Sequence, residues 1–473
     1  MYNKFQKTLR NEVNAMHITV PKGAAEILNR LHREGYEAYV VGGCVRDAML
    51  GRTPDDWDIT TNASPQEVKQ LFSHTIDTGI QHGTVTVMKE HVGYEVTTYR
   101  VDGVYEDHRR PSNVSFTKSL KEDMLRRDFT INAMAYNEEE GVVDYFEGQE
   151  DLKRGIIRCV GEASHRFDED ALRVLRAMRF SAQLDFTIDE KTLAAMQEKA
   201  EYLRDISAER IRVELTKLLL SDHTDRLLTV GYKTGITKVI MPWFDRMLAT
   251  TQENPHHCYD VGRHCLKAVE QIPKTTVLRY AALLHDVAKP EVKTIDEHGV
   301  CHFYQHAKES AEMARQILRG LKFDNDTVRR VKELIYWHDY NWGSSVNRNQ
   351  VRRAASKIGA DYMEELFLLQ RADCLAQSTY MQKEKLALLD EIEACYKDIR
   401  KEGECLCIHD LAVNGSDLIR MGMKPGKKLG QVLSYLLEQV LIHPEWNEKA
   451  RLMQLVEEKE LQERAVSQEC ERK

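Results

Sequence analysis

The chain reads as an α+β protein, with a β-rich N-terminal part followed by an almost wholly helical remainder. Two observations predict this. Up to about residue 160, the runs Ala38–Gly42, Trp57–Thr61, Thr84–Met88 and Tyr94–Val101 are rich in β-forming residues and separated by Gly, Pro, Asp and Asn turns. Beyond it, Ala171–Phe180, Ala208–Leu220, Val277–Val287, Ala311–Leu321, Val328–Trp337 and Leu429–Val440 repeat apolar residues every three or four positions, the period of a helix with a buried face. The 473 residues suffice for about three domains, with breaks expected near Met241-Pro242 and Lys401-Glu402-Gly403. A third observation narrows the class. No apolar run approaches the roughly 18 residues of a membrane span, and the first twenty residues lack a signal-peptide core. The ten cysteines contain no Cys-x-x-Cys pair. A cytoplasmic protein with reduced thiols is expected, with no membrane partner. The net charge of −8 argues weakly against nucleic acid, but the placement of basic residues matters more than their total.

The first constellation is Gly42-Gly43-Cys44-Val45-Arg46-Asp47, followed by Asp56-Trp57-Asp58-Ile59. Val40-Val41 reads as a strand end and Cys44–Leu50 as a helix start. Gly42 and Gly43 allow close backbone approach to a phosphate, while Arg46 and the helix start supply positive potential. On its own, the pair fits a plain strand-to-helix turn as well. Alternation along a strand would put Asp56 and Asp58 on one face. Such like charges favour an intervening cation, and oxygen donors suit Mg²⁺; a solvated turn after Pro54 is the alternative. Glu95, in the alternating run Tyr94–Arg100, offers a third carboxylate for a two-metal phosphoryl-transfer site, or is simply an exposed strand residue.

These residues resemble the nucleotidyltransferase head of class II CCA-adding tRNA nucleotidyltransferases and bacterial poly(A) polymerases. The resemblance continues through Arg126-Arg127-Asp128-Phe129-Thr130-Ile131-Asn132-Ala133-Met134-Ala135, Asp144–Leu152, Glu169-Asp170-Ala171-Leu172-Arg173-Val174-Leu175-Arg176 and Glu209-Arg210-Ile211, in the family's order. It implies a head with a mixed five-stranded sheet at 1–160, a helical neck at 161–222 that binds base and RNA, a helical body at 223–400 and a tRNA-binding tail at 401–473. It also implies addition or repair of the 3′-terminal CCA of tRNA from CTP and ATP, without a nucleic-acid template. Asp56 and Asp58 would then bind Mg²⁺, with Glu95 assisting; Arg127 would contact the nucleotide and Asp128 would orient the ribose or an arginine. A poly(A) polymerase or an enzyme limited to CC or to the final A shares these head motifs.

Asp170, Arg173, Arg176 and Arg179 step by three, so neighbours share a helix face. Asp170 is an acceptor and Arg173 a donor fork. Cytosine and adenine each present a ring-nitrogen acceptor beside an amino donor, whereas guanine and uracil present the reverse. The resemblance makes Asp170 and Arg173 a protein template for the base, with Arg176 and Arg179 on phosphates. A basic wall paired to Glu169 and Asp170 is the bland alternative. Residues 102–111 read as a charged mobile loop, which in the family assists the switch from C to A.

Further along, His264, His285-Asp286, His306, His338 and Asp373 resemble the ligand pattern of HD-domain metal phosphohydrolases. Imidazole with carboxylate suits Mn, Fe, Co, Ni or Zn; a structural role is the alternative. An HD phosphohydrolase whose head only binds nucleotide is therefore a rival reading, and a non-catalytic RNA-binding protein is another. In the tail, Ser416 is a candidate helix cap. Lys424, Lys427 and Lys428 flank a Pro-Gly turn and suit an RNA backbone, or form an ordinary basic loop.

Overall fold

The computed structural model describes residues 17–459 apart from 104, 107–109, 112, 113 and 254. Four residues of the loop expected at 102–111, namely 104 and 107–109, thus lie outside the described residues. The chain divides into two compact units, 1–245 and 246–473.

In the first unit, helix α1 (Lys22–Arg33) buries Ala24, Ile27, Leu28 and Leu31, one face of a 3.6-residue repeat. Strand β1 (Ala38–Val41) is buried at every position, as a central strand covered on both sides must be. With β2 (Ile59–Thr61), β3 (Thr75–Gly79), β4 (Thr84–Lys89), β5 (Val92–Thr98), β6 (Met134–Asn137) and β7 (Gly141–Asp144) it forms a seven-stranded sheet in the order β7-β6-β1-β2-β5-β4-β3. The mixed sheet is as expected, but it has more than five strands. Its two edges, β3 and β7, are hairpin partners of β4 and β6. Only β2 and β5 run parallel, with Ile59 opposite Val96; this brings the residue before β2 level with Glu95.

Helix α2 (Gly43–Met49) follows β1 directly. Helix α3 (Pro65–Leu71) opens with a Ser64–Glu67 capping box, and α4 (Leu120–Leu125) adds Leu120 and Met124 to a core with Tyr39, Val41, Tyr99, Ala133, Ala135 and Val160. Then come α5 (Gly148–Arg154), α6 (Ala163–Glu169), α7 (Leu172–Leu184), α8 (Glu190–Lys199) and α9 (Ala208–Leu219). Helix α7 packs on α9 and is buried nearly all round, Arg173 and Arg179 included.

The second unit contains α10 (Val261–Glu270), α11 (Thr276–Leu284), α12 (His306–Gly320), α13 (Asn325–Trp337), α14 (Arg348–Ile358), α15 (Ala360–Ala376), α16 (Gln382–Lys401) and α17 (Lys427–Ile442). Helix α11 packs against α10, α13 and α15. It is buried continuously from Leu278 to Leu284 and delivers His285 at its C-cap. Outside the large sheet, Ile156–Ile157 pairs with Thr187–Ile188 in the first unit, and Thr294–Ile295 with Cys301–His302 in the second. Around α17, Val413, Leu418, Leu436, Leu452 and Leu455 form a separate core. The short helix Gly415–Arg420 beside it is capped by Asn414, which accepts from Ser416 N and Asp417 N, rather than by Ser416; an amide side chain two residues earlier reaches the free N–H groups.

One motif is explained by backbone demands. Asp144 accepts hydrogen bonds from Phe146 N, Gly148 N and Gln149 N at 3.1, 3.0 and 2.8 Å, so it fixes the turn into α5. A Cβ on Gly148 would lie 2.3 Å from the Thr130 carbonyl oxygen. Backbone cannot yield as a side-chain tip does, so Gly148→Ala should cost about 1–3 kcal/mol. Chemical denaturation followed by circular dichroism should show the first unit's transition at lower denaturant.

Candidate functional site

The turn after β1 is built around Gly42, whose φ of +85° suits glycine. A Cβ there would stand 3.0 Å from Arg127 Nη1, so the glycine also admits a guanidinium against the backbone. Asp56 and Asp58 lie in the segment just before β2, not within the strand as alternation suggested. Asp58 is tied in place by its carbonyl, which accepts Val41 N at 2.9 Å. Burial, then the Asp56 charge, pushes its carboxyl up to about 6, against the pull of Arg127; Glu95 adds to the rise. The structure therefore assembles Asp56, Asp58 and Glu95 at one end of the parallel β2–β5 pair. Asp56 and Glu95 are exposed and Asp58 is half-buried. Oxygen-only donors with excess negative charge fit a hard divalent cation.

Beside them runs a chain of charge-assisted hydrogen bonds. Asp128 Oδ1 accepts from Phe129 N at 2.8 Å and Asn132 Nδ2 at 3.1 Å. Its Oδ2 accepts from Arg176 Nε at 2.7 Å and lies 2.6 Å from Nη2. Burial alone would raise the Asp128 carboxyl, but Arg176 and these bonds hold it down at about 2. Asn132 Oδ1 in turn accepts Arg46 Nη1 at 2.7 Å, and Arg46 also grips Asp47. Arg127 is half-buried, with Nη2 3.7 Å from Asp123 Oδ2. Asp123 itself binds Thr60, the Arg100 backbone and Arg126. Arg46, Arg176 and Arg179 all approach the Phe180 ring, at 5.0, 5.5 and 3.9 Å from its centroid. Arg179 is committed to Glu214 at 2.5 Å and Gln183 at 2.8 Å, whereas Arg176 keeps about a third of its side chain exposed (34%).

Asp170 precedes α7 rather than lying in it. Its Oδ1 accepts Leu172 N at 3.1 Å and its Oδ2 accepts Arg210 Nη2 at 2.7 Å. Arg173 donates to Glu169, to Arg166 O at 3.0 Å and to Arg126 O at 3.1 Å. The Asp170 and Arg173 side chains thus sit one turn apart with separate partners. Sequence reasoning did not pick out Asn132, Asp123, Glu214 or Arg210 as site residues. Asn132 and Arg210 stand inside recognised motifs; Asp123 and Glu214 carry no local signal.

The second unit gathers a different donor set. His264 Nε2 is 2.9 Å from Asp373 Oδ1, 3.5 Å from Asp286 Oδ2 and 3.2 Å from His285 Nε2. His306 and His338 Nε2 lie 3.4 and 3.7 Å from Asp286 Oδ1, and 3.3 Å from each other. All six predicted residues are thus brought together. Each imidazole turns Nδ1 to a backbone carbonyl: Ala376 O at 3.3 Å, Ala282 O at 2.8 Å, Phe303 O at 3.0 Å and Ile335 O at 2.7 Å. A carbonyl only accepts, so these bonds keep a proton on each Nδ1 and turn the four Nε2 atoms inward. Asp286 Oδ1 receives no hydrogen bond, and Oδ2 has Lys289 Nζ at 2.7 Å outside hydrogen-bond geometry. Four Nε2 atoms gathered around the Asp286 and Asp373 carboxylates, with the Nδ1–H groups pinned outward, fit a transition metal. In the tail, Lys424, Lys427 and Lys428 are exposed before and within the first turn of α17.

Comparison with known proteins agrees with this layout. The Poly A polymerase head domain family matches residues 38–158, the RNA and SrmB-binding site of polymerase A matches 185–248, and tRNA nucleotidyltransferase domain 2 matches 294–456. The CCA-adding enzyme of Levilactobacillus brevis is 35% identical over 444 residues, 92% of this chain and 96% of its own. That of Streptococcus thermophilus is 36% identical over 440 residues, with the same coverage. The crystal structure of the Bacillus stearothermophilus CCA-adding enzyme in complex with CTP superposes with a TM-score of 0.70 at 29% identity, over 94% of this chain and 100% of that one. With similarity running through both units and nearly the full length of its relatives, this chain belongs to the family of CCA-adding enzymes.

Proposed function

We propose that this protein is a CTP/ATP:tRNA nucleotidyltransferase that adds or repairs the 3′-terminal CCA of tRNA. The observation that carries the reading is Asp58, a carboxylate raised to about 6 beside Asp56 and Glu95 and facing Arg127, whose guanidinium lies against Gly42. The tRNA 3′-hydroxyl attacks the α-phosphate of CTP or ATP, the α–β bridging bond breaks, and pyrophosphate leaves. Asp56 and Asp58 would hold Mg²⁺, which supplies the charge that acidifies the hydroxyl and offsets the triphosphate. Glu95 is placed to orient that hydroxyl. Gly42 and Gly43 let the nucleotide approach the backbone, and Arg46, Arg127, Arg176 and Arg179 supply positive charge along one wall. Asp128 anchors Arg176. Asp170 accepts the base amino group and Arg173 donates to the ring nitrogen, exchanging its bonds to Glu169 and Arg126 O for the base.

The parts divide as head 1–160, neck 161–222, body 223–400 and tail 401–473, with Lys424, Lys427 and Lys428 on the tRNA backbone. The nine described cysteines are unpaired and no described helix is long and apolar enough to cross a membrane, which supports a cytoplasmic site of action. A second reading applies to the body alone. The convergence of four Nε2 atoms on Asp286 favours a bound Mn, Fe, Co, Ni or Zn and phosphoester hydrolysis there.

Asp58→Ala or Asp56→Ala should abolish nucleotide addition while tRNA affinity stays within a few-fold, measured by single-turnover addition and filter binding. Wild-type rates in either variant would remove the assignment.

Asp58 also carries a stability signature. Its folded pKa lies above the unfolded value near 3.9, so the native state binds the extra proton and its stability falls as pH rises through about 4 to 6. Asp58→Asn should therefore stabilise the first unit without divalent ions at pH 7 by about 1–3 kcal/mol. The gain should vanish near pH 4, and added Mg²⁺ should stabilise only the wild type. Calorimetry across this pH range checks both signs.

For the body, purified protein should carry near-stoichiometric transition metal by elemental analysis, and His285→Ala should lose it. CCA addition should survive that change, because the two chemistries lie in different units.

A further inference from the structure

Arg210 belongs to a motif that the mechanism above leaves without a task. It sits in the first turn of α9 (Ala208–Leu219), forty residues from Asp170 in sequence. Its Nη2 donates to Asp170 Oδ2 at 2.7 Å, while its Nη1 is buried with no hydrogen-bond partner. The arrangement makes sense if the guanidinium is held there for what it does to Asp170.

Asp170 stands at the break between α6 and α7, outside regular helix, with φ −142° and ψ 101°. Its side chain has only two fixed points. Leu172 N holds Oδ1 at 3.1 Å from the start of α7, and Arg210 holds Oδ2 from α9. Neither bond uses up its oxygen, because each carboxylate oxygen accepts two hydrogen bonds. One further acceptor site per oxygen remains for an exocyclic amino group. The Arg173 guanidinium donates to Glu169, Arg166 O and Arg126 O, and its backbone N–H donates to the Asp170 carbonyl at 3.0 Å. Without Arg210 the carboxylate is tethered at one oxygen and free to swing.

We infer that Arg210 is a positioning residue for base selection: from α9 it fixes the Asp170 carboxylate in the one orientation that accepts the amino group of cytosine or adenine. The inference rests on the reading that Asp170 meets the base. Guanine and uracil place a carbonyl at that position, and a fixed carboxylate repels it. A swinging carboxylate loses affinity for C and A and loses the repulsion against G and U. Arg210 therefore acts on the ratio between nucleotides, through KM, and not on the chemical step.

The test is single-turnover incorporation of CTP, ATP, UTP and GTP onto tRNA acceptors by wild type, Arg210→Met, Arg210→Lys, Asp170→Ala and the Asp170→Ala/Arg210→Met double variant, each checked by thermal melting. Arg210→Met should lower discrimination against UTP and GTP by about three- to tenfold, the cost of ordering one freed side chain. KM for CTP and ATP should rise while the saturating rate holds. Arg210→Lys should restore part of the discrimination and stands in if the methionine variant fails to fold. In the double variant, discrimination should equal that of Asp170→Ala alone. If Asp170→Ala loses discrimination but both Arg210 variants keep it, the inference fails and the base-reading role of Asp170 stands. If Asp170→Ala itself discriminates like wild type, the underlying reading fails. Equal slowing of all four nucleotides by the Arg210 variants makes Arg210 a packing residue and overturns the inference. So does a double variant that discriminates less than Asp170→Ala, since Arg210 would then meet the base itself.

Discussion

The Asp128 carboxylate is the point on which the arginine network of the first unit is hung. Through Oδ1 it holds Asn132, and through Asn132 it holds Arg46 on the helix that follows Gly42-Gly43. Through Oδ2 it holds Arg176 on α7. One buried anion thus fixes guanidinium groups from α2 and from α7 against the same ring, Phe180. A buried carboxylate is costly unless its partners are in place, and removing one partner of such a pair typically costs about 3–5 kcal/mol. The strength of the arrangement lies in its mutual dependence. Arg176 keeps Asp128 ionised, and Asp128 keeps Arg176 aimed.

Each unit, taken by itself, contains a cluster of donor groups that suits a cation. In the head it is Asp58 pressed toward Asp56 and Glu95. In the body it is four imidazole Nε2 atoms facing Asp286. The donor chemistry differs in kind. Oxygen alone favours a hard ion that retains water and phosphate ligands, and nitrogen with oxygen favours a first-row transition metal. The rest of the fold is arranged to hold these groups in place. Continuous burial of α11 stops at His285, and the parallel β2–β5 register puts Asp58 beside Glu95.

The features legible in the sequence were those whose meaning is local. Gly42-Gly43, Asp56-x-Asp58 and Asp170-x-x-Arg173-x-x-Arg176 sit within a few residues of their partners in function, and the helical period carried α7, α9, α11 and α17 to within a few residues of their observed ends. What escaped is carried by topology. The Arg46–Asn132 bond spans 86 residues, Arg176–Asp128 48 and Arg210–Asp170 40. Spacing encodes none of these. Strand periodicity extended through Asp56 and Asp58, but the backbone joins the sheet only at Ile59, where pairing with β1 and β5 begins. The histidines of the body were visible as a set, yet the feature that argues for metal, Nδ1 pinned to four different carbonyls, belongs to the folded backbone. Ser416 and Asn414 are both competent caps by type; the turn geometry chose Asn414.

The account stands or falls on what the enzyme adds to a tRNA that ends at the discriminator base. The most direct measurement is incubation of such a tRNA with CTP and ATP, separately and together, followed by sequencing of the 3′ ends. The account predicts two cytidines from CTP alone, a single C-C-A from the mixture, and no extension from ATP alone. A run of adenosines from ATP alone would make the protein a poly(A) polymerase and contradict it.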